Sequence, residues 1–232
     1  MSIFKNDFCS EIETNLMDTL NLNNCIISWM LFWSTYFLVG GSVSIYTHMK
    51  NIRKIVNLRE VLRILFCNMF WSLLGVVGLY FCPLRALTDT HVVVKMFLVF
   101  FTMELWFYHV HVLFHHPQLY SRIHKIHHYK DMVFPYALTA VYGTAYELIF
   151  LNIFSVSLGI TIFQPPVWFV YFWYILVAAN TTLAHSGLQV PFFVDNYHDM
   201  HHTNFSTNYG LTSYLDWLYG TAHYEQIEAK EV

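Results

Sequence analysis

Fourteen of the 232 residues are histidine, and most of them fall at spacings that suit metal ligation. In Glu104-xxx-Tyr108-xx-His111-xxx-His115 the four named side chains lie within an arc of about 60° on a helix turning roughly 100° per residue. They form one stripe, with two imidazoles a turn apart. His124-x-x-His127-His128 and His198-x-x-His201-His202 repeat a second pattern, in which one helical turn is expected to aim three imidazoles at one point. His185, just before Ser186-Gly187, ends an apolar run on the side where both triads are expected. The candidate ligands are therefore His111, His115, His124, His127, His128, His185, His198, His201 and His202. One metal cannot use nine nitrogens, whereas two metals with four or five each can. Imidazole suits iron, zinc and copper alike.

The remaining histidines read differently. His109 and His116 fall about 140° and 120° from the Glu104 stripe. His48 and His91 sit at the ends of apolar runs as interfacial polar groups, and His223 lies 21 positions beyond the last triad and is ambiguous. Other histidine chemistry fits less well. The zincin pattern H-E-x-x-H and the cysteines of structural zinc sites are missing. A b-type haem uses one or two axial ligands. A zinc transporter would place its histidines and carboxylates at mid-membrane, not bunched at one face.

The elements that must position these groups are hydrophobic. The chain is 56% hydrophobic and 19% aromatic but only 12% charged, with a mean hydropathy of +0.42. Soluble domains carry roughly twice that charge. The formal charge of −3 gives no basic footprint for nucleic acid, which is not expected as a partner. The four cysteines form no C-x-x-C pair, so no disulfide framework is expected. Met1–Asn24 is polar and acidic, without the basic start of a removed signal peptide. Cys25–Tyr46 and Ile64–Cys82, the latter ended by Pro83, are charge-free runs long enough to span a bilayer. A third helix is expected from Thr88–Asp89 to His115. Leu148–Phe163 and Val167–Ala184, joined by Gln164-Pro165-Pro166, read as a helical hairpin. Buried helices of a soluble protein are the alternative, disfavoured by five such runs with so few charges. The expected fold is all-α: a multi-span helical membrane protein of four to five apolar spans, bearing a cytosol-facing, histidine-rich helical cap.

Orientation follows from Lys and Arg. Lys50, Arg53, Lys54, Arg59 and Arg63 follow the first span. Arg122, Lys125 and Lys130 lie in the histidine-rich connection, and Lys230 lies in the tail. Lys5, Arg85 and Lys95 remain for the other side. The positive-inside rule puts the larger set, and both histidine triads, in the cytosol and the N-terminus outside. Glu104 then lies some seven residues inside its span, where a carboxylate needs a partner. A ligand imidazole, or a polar group on a neighbouring span, is the expected one.

Taken together, Glu104-xxx-Tyr108-xx-His111-xxx-His115, His124-xx-His127-His128, His185-Ser186-Gly187 and His198-Asp199-Met200-His201-His202 resemble the fatty acid hydroxylase/sterol desaturase superfamily. Pro135-xxxx-Ala140-x-Tyr142 with Glu147, the run HSGLQVPF and the closing NYGLTSYLDWLYGT resemble its C-4 methylsterol oxidase and cholesterol 25-hydroxylase branch. Val112 stands where many members have Arg. The resemblance covers about Glu104–Tyr224. It implies an endoplasmic-reticulum enzyme whose nine histidines hold two iron ions and which uses O2 to oxidise a C–H bond of a sterol or other membrane lipid. Cytochrome b5 or a similar NAD(P)H-linked carrier would supply electrons. Glu104, Tyr108, Glu147 and Asp199 would then support the ligand imidazoles. The implied organisation is a polar tail and first spans over 1–103, a catalytic region over 104–224 and a tail over 225–232. Other readings are a fatty-acyl or sphingolipid hydroxylase, a sterol desaturase, a metal transporter and a catalytically silent metal-binding membrane protein.

Overall fold

Apolar stretches separated by short polar connections have one economical solution, antiparallel helices, and that is what the chain adopts. The computed structural model describes residues 3–82, 88–128, 134–189 and 197–223, with side chains from Leu20 onward. Pro83, Arg85, Lys130, the Val190-Pro191-Phe192 part of HSGLQVPF, Tyr224 and Lys230 lie outside the described residues. Among these residues there is no strand. Helix α1 (Ile3–Met49) runs unbroken through the polar N-terminal stretch into the first span. Next come α2 (Leu58–Trp71) with α3 (Leu73–Tyr80), then α4 (Val92–Phe114) and the short α5 (Pro117–Tyr120). A second set comprises α6 (Ala145–Glu147), a π-helical stretch (Leu148–Ile153) and α7 (Phe154–Phe163), followed by α8 (Val167–Ala184), α9 (Tyr197–Thr203) and α10 (Ser213–Tyr219). Among the described residues, five helical stretches are long and apolar enough to cross a membrane: Leu20–Met49, Leu58–Tyr80, Val92–Phe114, Ala145–Phe163 and Val167–Ala184.

Two expected boundaries move. The second span begins at Leu58, because Arg63 pairs with Glu60 on the exposed face and lets the helix carry its charges outside the bundle. The third begins at Val92 and not at Thr88–Asp89. Asp89 instead accepts the His91 N–H at 2.7 Å and pairs with Lys95 at 2.5 Å, holding the turn just before the helix. The hairpin turn is as read: α7 ends at Gln164, whose φ of 45° is left-handed, and Pro166 caps α8.

Helix α1 packs along α8, and α4 packs along α7. The α4–α7 crossing is close because Gly159 has no side chain; a Cβ there would lie 2.8 Å from Val99 Cα. Small residues at such crossings let helix backbones approach where lipid offers no hydrophobic drive. The segment 134–144 enters the bundle between α1, α2 and α8 as an irregular plug with one 3-10 turn at Ala137–Thr139, and Tyr136 and Ala137 are fully buried. Irregular backbone at that depth must be satisfied by side chains. Tyr36 supplies its hydroxyl to Leu138 O (2.9 Å) and receives the Val141 N–H (3.2 Å). Ser44 accepts the Leu138 N–H at 3.1 Å, and Asn68 donates to Val141 O at 2.8 Å. The C-terminal ends of α1, α4 and α8 and the start of α6 thereby meet at one end of the bundle. All nine candidate histidines collect there.

Candidate metal centre

The histidines come from four places: the end of α4, the turns at 121–128, the end of α8 and the short α9. The structure sorts them into two groups. His111, His115, His124, His128 and His201 form one, and His127, His185, His198 and His202 form the other, with one nitrogen from each ring within 4.8 Å of the rest of its group. The groups adjoin: the rings of His128 and His202, from opposite groups, are centred 4.6 Å apart.

This corrects the expectation that each triad aims at one point. In both triads the residues four apart stay together (His124 with His128, His198 with His202), while the residue at the three-step crosses to the other group. On a helical turn those two steps fall about 40° and 60° to opposite sides of the first residue. A single turn can therefore feed two sites. The 121–128 segment is a run of turns and not a helix, which widens that spread.

Five of the nine rings have their tautomer set by what the outer nitrogen touches. His111 Nδ1–H donates to Tyr209 O (2.6 Å), His127 to Tyr142 O (3.2 Å), His185 to Thr181 O (2.9 Å) and His201 to Thr207 O (2.7 Å). His124 Nδ1–H donates to the Glu147 carboxylate at 3.0 Å. With Nδ1 protonated, Nε2 carries a bare lone pair. Where both partners are so fixed the lone pairs face one another, His111 to His124 at 3.0 Å and His127 to His185 at 3.4 Å; His128 Nε2 also stands 3.0 and 3.1 Å from those of His124 and His201, and His198 Nε2 3.0 Å from that of His185. Two acceptors at that distance repel unless a cation lies between them. His115 Nε2 and both ring nitrogens of His202 are buried without any hydrogen-bond partner. The donor set fits a pair of transition-metal ions.

Burial also keeps the rings neutral. It lowers His127 to about 4, His185 to about 3 and His115 to about 2, with neighbouring imidazoles adding to the effect at His185 and His115. His124, His128, His198, His201 and His202 are pushed well below the ordinary histidine value for the same two reasons. Neutral imidazole is the form that ligates metal.

The four supporting candidates separate. Glu147 is 3% exposed and holds His124 directly. Glu104, 4% exposed, touches no imidazole: it accepts the Thr212 N–H (3.2 Å) and the Thr212 hydroxyl (2.8 Å). Its partner is thus a loop beyond α9, neither a ligand histidine nor a neighbouring span. Asp216 takes the Tyr209 and Gly210 N–H groups of the same loop (2.8 and 2.7 Å). Together they fix the carbonyl of Tyr209 that orients His111. Sequence reasoning passed over Asp216, Thr212 and Tyr209, although the NYGLTSYLDW run contains all three. Tyr108 also faces away from the rings, bonding Thr221 Oγ1 at 3.0 Å and stacking on Tyr219 at 5.2 Å. The stripe is real as a helix face, but its upper half faces the C-terminal segment. Asp199 is paired with Arg53 at 2.6 Å, and burial raises its carboxyl to about 6 in spite of that partner.

Outside both groups, His109 donates to Leu105 O and packs on Tyr219, and His116 caps α5 by accepting the Gln118 N–H. His48 accepts the Ile55 N–H, His91 caps α4, and His223 is held through its backbone by Asn208. Cys25, Cys67 and Cys82 are unpaired.

The sequence model for fatty acid hydroxylase matches residues 96–221, just over half of the chain. Human fatty acid hydroxylase domain-containing protein 2 is 33% identical over 138 residues, 58% of this chain and 41% of its own length. A putative methylsterol monooxygenase of Dictyostelium discoideum is 32% identical over 146 residues, 57% of this chain and 54% of its own. Methylsterol monooxygenase 1 of Gallus gallus is 34% identical over 128 residues, 51% and 42% respectively. The matched part spans about half the length of these relatives or less. No solved structure matches the chain. With every histidine of both groups inside the matched segment, the chain belongs to the fatty acid hydroxylase family.

Proposed function

We propose that the protein is a membrane-bound di-iron oxygenase that hydroxylates or otherwise oxidises a C–H bond of a sterol or related lipid, with O2 as co-substrate and externally supplied electrons. The observation that carries this reading is the close approach of Nε2 nitrogens whose Nδ1–H groups already donate elsewhere, His111 to His124 at 3.0 Å and His127 to His185 at 3.4 Å. The nine rings would hold two ions, five in one group and four in the other. In the five-ring group, three nitrogen pairs stand 3.0–3.1 Å apart. Bound iron would supply the redox capacity to activate O2, which zinc lacks.

The chain's own residues do the rest. Five carbonyl or carboxylate oxygens take the outer N–H of five rings and fix their tautomer and tilt. Burial excludes water. An apolar cleft lies between α1, α3, α7 and α8 and is lined by Trp29, Trp33, Val76, Val141, Leu148 and Thr181, among others. Its inner end abuts the centre. Val141 adjoins Tyr142, Leu148 adjoins Glu147, and the Thr181 carbonyl holds His185. An acyl or ring system entering from the bilayer would be guided toward the histidines along this cleft.

On this reading residues 104–224 are the catalytic region, behind the spans and tail of 1–103 and ahead of 225–232. The enzyme sits in the endoplasmic-reticulum membrane with its histidines toward the cytosol, and cytochrome b5 or a similar NAD(P)H-linked protein delivers the electrons. The test is elemental analysis of the detergent-purified chain, combined with O2 uptake in the presence of reductant and candidate sterols. Two iron ions per chain and lipid-dependent O2 consumption are expected. An active preparation holding one metal or fewer would refute the two-ion centre.

A further inference from the structure

Arg53 lies in the connection between the first two spans, outside the segment that matches the family. We propose that it is a positioning residue for the four-histidine group, tying the first span to the metal centre. The inference rests on the two-metal reading above.

The Arg53 guanidinium meets three elements at once. Its Nη2 donates to Asp199 Oδ2 at 2.6 Å, across 146 residues of sequence. The two side chains are 14% and 11% exposed. Asp199 sits on α9 beside His198 and less than one turn from His202. The guanidinium also packs on the backbone that follows His185. At Gly187, where φ is +70°, an added Cβ would lie 2.6 Å from Arg53 Cζ and Nε. The Gly187 backbone also lies close enough to the Asp199 carboxylate to favour its charged form. Finally, Arg53 Cζ stands 5.5 Å above the Phe134 ring, at the head of the plug whose Tyr142 carbonyl holds His127. Three rings of the second group, His185, His198 and His202, thus sit on elements that converge on one guanidinium, and the fourth, His127, is held by a carbonyl of the segment that Phe134 begins. The other end of the tether is fixed too. Ile52 and Arg53 both give their N–H to Thr47 O (2.9 and 3.2 Å), at the end of the first span.

Geometry and charge explain why arginine suits the place. A planar guanidinium can lie flat against a glycine turn and an aromatic face while donating to a carboxylate in its own plane. Lysine offers a point charge without the flat surface. Breaking a mostly buried ion pair by removing one partner leaves the other charge uncompensated. The loss falls first on the turn after His185 and on α9. His111 and His115 on α4, and His124 held by Glu147, have no contact with it. His201 shares α9 but is held separately, by Thr207 O at 2.7 Å.

The test uses the full chain in detergent, loaded with Co(II) as the probe ion, with release to a chelator followed by its visible absorption. Wild type is expected to hold two ions. In Arg53→Gln, one ion should leave about tenfold faster or more, the scale on which groups supporting metal ligands act, while the other keeps its wild-type rate. Asp199→Asn should do the same. The double variant should be no worse than the worse single one, and Arg53→Lys should recover only part of the loss. Hydrogen exchange of the metal-free protein supplies an independent readout. Arg53→Gln should speed exchange in 185–189 and 197–203 while leaving α4 unchanged. Two ions with wild-type release rates in Arg53→Gln would overturn the proposal, as would equal acceleration of both ions or unchanged exchange in those two segments. Fewer than two ions in wild type would refute the metal reading instead, and the exchange measurement would still decide the role of Arg53.

Discussion

His127 and His128 are neighbours in sequence, yet their rings belong to different histidine groups. His127 turns toward His185 and His202, with its Nδ1–H on Tyr142 O. His128 turns its Nε2 toward His124 and His201. His127→Ala and His128→Ala should therefore each lower metal content from two ions toward one, and each should abolish turnover while the protein still inserts in membranes. Anaerobic Co(II) loading should give different residual spectra for the two, reporting a surviving five-ring or four-ring group. Identical residual spectra would show that the groups are not separate sites.

Glu104 acts on a ligand only at a distance, through Thr212 and the loop whose Tyr209 carbonyl holds His111. Glu104→Gln keeps the shape and one acceptor oxygen, whereas Glu104→Leu strands the Thr212 N–H and hydroxyl. A buried donor left without a partner costs about 1–3 kcal/mol. Glu104→Leu should insert normally, lose metal faster from the five-ring group and turn over at a few per cent of wild type or less. Glu104→Gln should fall between. Wild-type metal retention and turnover in Glu104→Leu would make the residue a bystander.

The apolar cleft makes a separate prediction. Val76→Trp and Val141→Trp both fill it, Val141 being next in sequence to Tyr142, whose carbonyl holds His127. Both should keep two ions, because neither residue touches a ring. Both should raise the KM for lipid or abolish lipid-dependent O2 uptake, with Val141→Trp the more severe. Unchanged kinetics with the lipid substrate in both would place the substrate elsewhere.

Acid should disarm the centre before it unfolds the helices. His127 and His185 titrate at about 4 and 3 in the folded protein, against about 6.5 unfolded. Their folded values are depressed, so between these limits the unfolded chain binds more protons. The stability is fully present above pH 6.5 and is lost as the pH falls toward 4 and 3. The metal-free protein should accordingly show a lower melting temperature at pH 5 than at pH 7.5, while His127→Phe flattens that slope. A pH-independent melting temperature over this range would contradict buried neutral rings.

Topology can be checked on two glycosylation sequons. Asn180-Thr181-Thr182 lies in the last turns of α8, and Asn204-Phe205-Ser206 directly follows α9, both at the histidine end of the bundle. If that end faces the cytosol, neither is modified in eukaryotic cells. A glycosidase-sensitive mass shift mapped to either would invert the orientation.

The sequence alone determined what depends on local chemistry. Charge-free runs of sufficient length make membrane-crossing helices whatever their partners, because an isolated backbone in lipid has no other way to satisfy its polar groups. Histidines at three- and four-residue steps share a turn wherever that turn is placed, and so the nine candidates could be named. Which ring joins which group was not local. The three- and four-residue steps differ by about 100° around a helix, and only the approach of α8 and α9 to the end of α4 decides which site lies in which direction. The same limit hid the partners of Glu104 and Asp199. Their contacts, Thr212 and Arg53, lie 108 and 146 residues away, and no periodicity links positions so far apart. Tertiary packing joined them, because a carboxylate buried beside a membrane bundle must take whichever donors the fold brings within reach.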